Sequence, residues 1–302
     1  MSNRAAHTLH ACFACVSALI VLVGCSGDSG VAPDGEGGCE TRILNGNYII
    51  RSVRDIDALE RAGGCSYTIA GNLEITEVLV KSLDGLADLG AVNGDIRIYN
   101  NEELQRFEGL ADLTTVGGSV YIHDNEELTS VEGLFIQTVS GDVQIHHNEK
   151  LLDIAALSKL VSTGGSVHIH NNNRLANIED LFNLERVEGH LLIEFNPAIE
   201  QIEDLSKLVT VGGDLAIENN FALEVIEDVS GLQSVGGALR IGRNATLDRL
   251  ENMTGLASVG GDLSIYSNER LTSVSGLSNL QMVGGRSEEH TSELQSPDHL
   301  VC

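Results

Sequence analysis

Glycine recurs through this chain at a nearly fixed interval. Gly71, Gly94, Gly118, Gly141, Gly165, Gly189, Gly213, Gly237, Gly261 and Gly285 are separated by 23, 24 and 23 residues and then six times by 24. A period in this range, held over nine intervals, marks a repeat protein in which each unit stacks on the next and no unit buries its apolar face alone. Residues 211–234, VGGDLAIENNFALEVIEDVSGLQS, show one unit in full.

With that glycine as position 0, position 2 is Leu, Ile or Val in every unit from Leu73 to Leu263, and position 4 is Ile from Ile75 to Ile265. The alternation predicts a short strand with positions 2 and 4 inward and 1, 3 and 5 outward. Position 7 is Asn in eight consecutive units: Asn101, Asn125, Asn148, Asn172, Asn196, Asn220, Asn244 and Asn268. One residue type at one place predicts a structural ladder of inward amides, satisfying backbone groups left free where the chain leaves the strand. Position 10 is Leu or Ile from Leu104 to Leu271, and apolar ladders near positions 13, 16 and 19 close the core. The expected fold is β-rich: a single-chain parallel β-solenoid, coiled as a right-handed β-helix over residues 69–285. Residues 39–68 precede the first unit and read as an N-terminal cap. Tyr48–Ile50 is extended; Val53, Ile56, Ala58 and Leu59 then follow at helical spacing. Ser52 is the expected N-cap with Asp55 three residues on, and Gly63 and Gly64 end the helix.

The pattern VGGDLxIxxNxxLxxI, followed by GL or DL and a further Leu, resembles the receptor L domain family. These are the leucine-rich β-solenoid domains of insulin-type and EGF-type receptors, also found in bacterial surface lipoproteins. CSYTIAGNLEI, residues 65–75, is similar to the entry of such a domain, and the resemblance covers about residues 39–285. Ordinary leucine-rich repeats place the apolar residue two after the Asn; here it is three after. The resemblance implies a non-catalytic binding or adhesion role and identifies no contact residues.

Residues 1–24 hold one basic residue, Arg4, and an apolar run over 11–24, too short for the roughly 20 residues that span a bilayer. The run ends LVGC, which resembles a bacterial lipobox. By that resemblance residues 1–24 are a signal peptide, Cys25 carries the lipid, and Ser26 after it goes with the outer membrane of a bacterial cell envelope. Residues 25–38 are the lipidated Cys and a flexible Gly, Ser, Asp and Pro tether, whose root-mean-square reach is roughly 20 Å. Of six cysteines, Cys12, Cys15 and Cys25 lie in or at the end of the apolar run and Cys302 is the last residue. Cys39 and Cys65 flank the first unit; in an exported chain they read as one structural disulfide, with two free thiols the alternative. After Gly285 the pattern stops in mid-unit. Residues 286–296 resemble an in-frame translation of a sequencing-library adapter, and residues 286–302 read as an artefactual tail.

The formal net charge of −26, from 18 basic and 44 acidic residues, argues against a nucleic-acid partner and against electrostatic docking on anionic lipid. The expected partners are the membrane, through the N-terminal lipid, and an unknown protein or glycan ligand; no cofactor is implied. Candidate contact residues are the outward ones. Position 5 gives Tyr99, His123, His146, His170, Glu194 and Glu218; position 3 adds Tyr121 and His168. Three imidazoles near a carboxylate have the chemistry of a Zn site, but a flat ladder points its side chains parallel, so no metal is assigned. Glu194 and Glu218 imitate the carboxylate pair of a glycosidase, yet no aromatic platform or Arg and Lys cluster is evident beside them, so no catalytic residue is assigned. A second acidic ladder, Glu179 and Asp180, Glu203 and Asp204, Glu227 and Asp228, either faces solvent or takes calcium. In the unit at 211–234, turn-specific function is expected at Asp214, Ala216 and Glu218. The readings left standing are a lipid-anchored recognition or adhesion module, a purely structural envelope protein, and more remotely a β-helix carbohydrate-active enzyme.

Overall fold

The computed structural model describes residues 40–290, with backbone alone for 287–290. Each unit contributes one four-residue strand beginning at position 2, from Leu73–Thr76 and Ile96–Tyr99 through Val143–His146 and Leu215–Glu218 to Leu263–Tyr266. With Tyr48–Ile50 before them and Ser287–His290 after, they form an 11-stranded parallel sheet, the main sheet. Its register never slips: Val143, Ile145 and His146 face Val167, Ile169 and His170, and every later turn repeats the match. Positions 2 and 4 are buried, as the alternation requires.

The sequence reading expects one sheet; the structure has more. A second 11-stranded parallel sheet is built largely from two-residue strands ending at position −2, such as Thr115–Val116, Arg186–Val187 and Ser258–Val259. Two residues are too few to show alternation, and the only trace in the sequence is the Val before the glycine pair. On the third side Gln201–Ile202, Val225–Ile226 and Arg249–Leu250 pair as a short sheet, while other turns, Glu108–Leu110 and Glu179–Leu181 among them, use a 3-10 turn. Leu, Ile and Val from all sides make one continuous core, with Tyr67 and Phe107 its largest fully buried side chains. Glycine at position 0 follows from close approach. A Cβ on Gly118 would lie 2.2 Å from Asp95 Oδ1 and 2.7 Å from the Gly94 carbonyl carbon, while the Gly118 amide donates to Gly94 O at 2.9 Å.

The Asn ladder has the expected role. Asn172 Nδ2 donates to Ile145 O of the preceding turn at 2.9 Å, and its Oδ1 accepts from the Asn148 amide at 3.2 Å. The other seven repeat this arrangement, and all eight are buried. The residue before each Asn, at position 6, takes a left-handed backbone whatever its identity. Asn100, Asp124, His147, Asn171, Phe195, Asn219, Arg243 and Ser267 all have φ between 51° and 59°. That turn aims position 7 inward, against an intrinsic cost of about 1–2 kcal/mol per residue outside glycine.

A second ladder runs along position 1. Asp95 Oδ1 accepts the Ser119 amide at 2.9 Å, Ser119 Oγ the Asp142 amide at 2.9 Å, and His190 Nδ1 the Asp214 amide at 2.9 Å. Asp214, read as a candidate functional residue, belongs to it: its Oδ1 accepts the Ala238 amide at 2.8 Å. Burial pushes its carboxyl up, but that amide and Arg240 outweigh burial and hold it below the usual carboxylate range. Ala216, read as outward and free, is 0% exposed. Both are structural.

The cap is a helix, Val53–Gly63, that buries Ile56 and Leu59. Val53, expected on its apolar face, is exposed. The expected capping box is altered: Ser52 Oγ donates to Asp55 Oδ2 at 2.8 Å, and the same oxygen accepts the Arg51 amide at 3.0 Å. Cys65 is disulfide-bonded. Its expected partner Cys39, the expected lipidation site Cys25 and the leader at 1–24 lie outside the described residues, as do residues 291–302. At the other end, pairing runs past the expected boundary at Gly285 into Ser287–His290, where Ser287 and Glu289 take register positions opposite Leu263 and Ile265. Among the described residues, no helix is long and apolar enough to cross a membrane.

Candidate functional site

Strand register stacks the position-5 residues Tyr99, His123, His146, His170, Glu194, Glu218, Gly242 and Tyr266 into one column. Neighbouring strands lie about 4.8 Å apart, close to the spacing of stacked rings. The rings therefore stack. Centroid distances are 5.1 Å for Tyr99–His123, 4.8 Å for His123–His146 and 4.6 Å for His146–His170, with interplanar angles of 12°, 4° and 16°. His168, from position 3, joins at 4.0 Å from His170. Tyr121 lies in the neighbouring column, where the Arg97 guanidinium covers its ring at 5.2 Å.

His147, at the left-handed position 6, completes the cluster and was missed by the alternation argument, which ends at position 5. Its ring meets His146 and His170 edge-on at 5.1 and 5.7 Å. The hydrogen bonds fix one set of tautomers. Asn171 Nδ2 can only donate, so His147 Nε2 and His170 Nδ1, each 3.1 Å away, are acceptors. His147 then carries its proton on Nδ1 and donates to His146 Nδ1 at 2.9 Å. His123 Nδ1 in turn lies 2.7 Å from Asp124 Oδ2. A proton added to His146 at Nδ1 would face the proton already on His147. In keeping with this, burial first and the neighbouring imidazoles second push His146 and His170 down to about 4. Both are neutral at pH 7.

The acidic end of the column is differently wired. His168 Nε2 lies 3.3 Å from Glu194 Oε2, within ion-pair range but off the line of a hydrogen bond. That imidazole nonetheless holds the Glu194 carboxyl below its ordinary range, against burial. Glu218 accepts a short hydrogen bond from the Tyr266 hydroxyl, two turns away. The intervening position 5 is Gly242, where a Cβ would lie 2.4 Å from the Tyr266 ring. Arg240 reaches the same carboxylate at 3.9 Å and Asp214 at 2.8 Å. The sequence reading found no aromatic or Arg beside the Glu194 and Glu218 pair; the structure corrects this with Tyr266 and Arg240, both from later units of the sequence. Gly242→Ala should displace the Tyr266 ring and release Glu218, lowering stability by about 1 kcal/mol. Thermal melts together with the Tyr266 ring resonances test this, and an unmoved ring would refute it.

Stacked imidazoles present their edges side by side, and among the described residues no group of three or more His, Cys, Asp or Glu is placed to hold a metal ion. In the second acidic ladder, burial first and neighbouring carboxylates second push Asp180 and Glu203 upward. The column can therefore offer a partner half-buried aromatic edges, two carboxylates and two phenols, the Tyr99 hydroxyl held by Glu74 and that of Tyr266 by Glu218.

The described residues form a regular parallel solenoid with a continuous apolar interior and an outer column whose residues differ from turn to turn. Residues 64–160 match the family model of the receptor L domain, a non-enzymatic ligand-binding family. The same strand register continues beyond the matched residues, through Leu263–Tyr266. Searches of curated proteins and of solved structures gave no match.

Proposed function

We propose that this chain is a non-catalytic recognition or adhesion module, held at a bacterial envelope surface by lipid on Cys25, with the main-sheet column as its contact face. The observation that supports it is the division of labour within the strand. Positions 1, 2, 4 and 7 are used by folding, whereas Tyr99, Tyr121, His123, His146, His168, His170, Glu194 and Glu218 stand partly exposed on the outer side and serve no interior contact. The anchor is supported by the LVGC sequence and the tether after it.

Two measurements test the two halves. Cys25→Ser should abolish incorporation of labelled palmitate and move the protein from the membrane to the soluble fraction; retained labelling would overturn the anchor. The triple change Tyr121→Ala, His146→Ala and His170→Ala should abolish saturable binding to immobilised envelope proteins or glycans while the circular dichroism spectrum is kept. Unchanged binding would remove this face, no saturable ligand would favour a purely structural envelope role, and release of reducing ends from a polysaccharide would overturn the non-catalytic reading.

A further inference from the structure

A second outward column departs from its own pattern in three adjacent turns. Position 8 reads Glu102, Glu126, Glu149 and Asn173, then Pro197, Phe221 and Ala245, then Glu269. In the same stretch position 6 becomes Phe195, Asn219, Arg243 and Ser267. An acidic and polar edge thus turns aromatic and basic in a chain of net charge −26. Phe195 and Phe221 are 45% and 54% exposed.

The small Ala245 between Phe221 and Glu269 opens a notch of about 350 Å³, lined also by Asn219, Arg243 and Ser267. That volume is at the small end of ligand sites, which run from about 300 to 1,000 Å³. Its walls are held in place. Asn219, Arg243 and Ser267 sit in the left-handed turns at φ 59°, 56° and 51°, locked by the buried Asn220, Asn244 and Asn268 between the two columns. Among the described residues, the Arg243 guanidinium is held by the Tyr266 ring, 5.6 Å away, rather than by a carboxylate. Its donors remain available.

We propose that this notch binds one neutral pyranose unit of a glycan. A pyranose presents an apolar C–H face and a rim of hydroxyls that both donate and accept. Phe221 supplies a flat apolar wall for the face. Glu269 supplies acceptors, the Arg243 guanidinium supplies donors, and the Asn219 amide and Ser267 hydroxyl supply both. The two opposite charges cancel within the notch, which suits an uncharged ring; Glu269 and the acidic surroundings disfavour a phosphate or a nucleotide. This goes beyond the main-sheet reading, and none of the six residues lining the notch belongs to that column.

The test is an amide-resolved NMR titration of the protein with cellobiose, lactose, maltose, mannobiose and N,N′-diacetylchitobiose. At least one should give saturable shifts centred on Asn219, Phe221, Arg243, Ala245, Ser267 and Glu269, with a dissociation constant near about 1 mM, as expected for a shallow site. Phe221→Ala should weaken it at least about tenfold, equivalent to about 1.4 kcal/mol, and Ala245→Leu, which fills the notch, should abolish it. The rest of the spectrum reports that both variants are folded. His146→Ala with His170→Ala should leave sugar binding unchanged, so this proposal and the main-sheet reading fail separately. No saturable shift from any of the five sugars, binding indifferent to Phe221→Ala and Ala245→Leu, or shifts centred on the imidazole column would each overturn it. So would shifts at the notch produced by an unstructured peptide and by none of the sugars.

Discussion

Asn172→Leu should cost the protein about 3–5 kcal/mol. The substitution removes the acceptor of the Asn148 amide at 3.2 Å and of the Asn148 side chain at 3.3 Å, together with the donor to Ile145 O at 2.9 Å, at a site 0% exposed. Each unsatisfied buried group costs about 1–3 kcal/mol, and leucine returns no hydrogen bond. The position is also the one held inward by a left-handed residue, Asn171 at φ 54°. With its amide bonds gone, that backbone has less to hold it. Because each turn packs chiefly on its neighbours, the damage weakens the joint between the turns before and after it. Urea unfolding followed by circular dichroism should show a lower midpoint and a broader or divided transition. Asn173→Ala, exposed and next in sequence, should shift stability by less than about 0.5 kcal/mol. A loss below about 1 kcal/mol for Asn172→Leu would refute the structural role assigned to the ladder.

Acidification supplies the second large effect. His146 and His170 have folded values near 4 against an ordinary 6.5, so between those limits the unfolded chain binds more protons than the folded one. The two rings therefore leave stability intact above pH 6.5 and reduce it progressively as pH falls toward 4. Both are half-exposed, which discounts the full linkage value to on the order of 3 kcal/mol for the pair. The acidic surface works the other way, since losing charge on approach to the isoelectric point near 4.5 relieves self-repulsion. Asp180 and Glu203, pushed upward, add to that opposing trend. The histidine contribution is isolated by difference. His146→Phe with His170→Phe keeps a stacked column without titrating groups, and its urea midpoint should gain on the wild type as pH drops from 7.5 to 4.5. Parallel curves over that range would refute it.

The parts of this fold legible in the sequence are those where one residue type answers one need. Ile at position 4, Asn at position 7 and Gly at position 0 repeat because only a narrow set of side chains fits a packed layer, a buried amide bond or a backbone contact. The position-1 ladder was hidden because Asp95, Ser119, Asp142 and His190 differ in name and share only an acceptor atom. The left-handed column was hidden for the opposite reason. Its usual markers are Gly and Asn, and here Phe195 and Arg243 adopt it because the ladder beside them compels it. Among the candidate contact residues, the stacking of His123, His146 and His170 follows from register alone. The contributions of His147, Arg240 and Tyr266 do not, since they depend on side chains leaning across turns.

One consequence of the unbroken register concerns how such a chain can change length. A whole 24-residue unit inserted or removed anywhere between Gly141 and Gly261 would restore the same glycine contact, the same Asn bonds and the same Ile layer on both sides of the join. The outer columns would simply lengthen or shorten by one strand spacing, about 4.8 Å. Surface can thus be added in discrete steps without redesigning the interior, and each added turn arrives with its own outward residues free to differ.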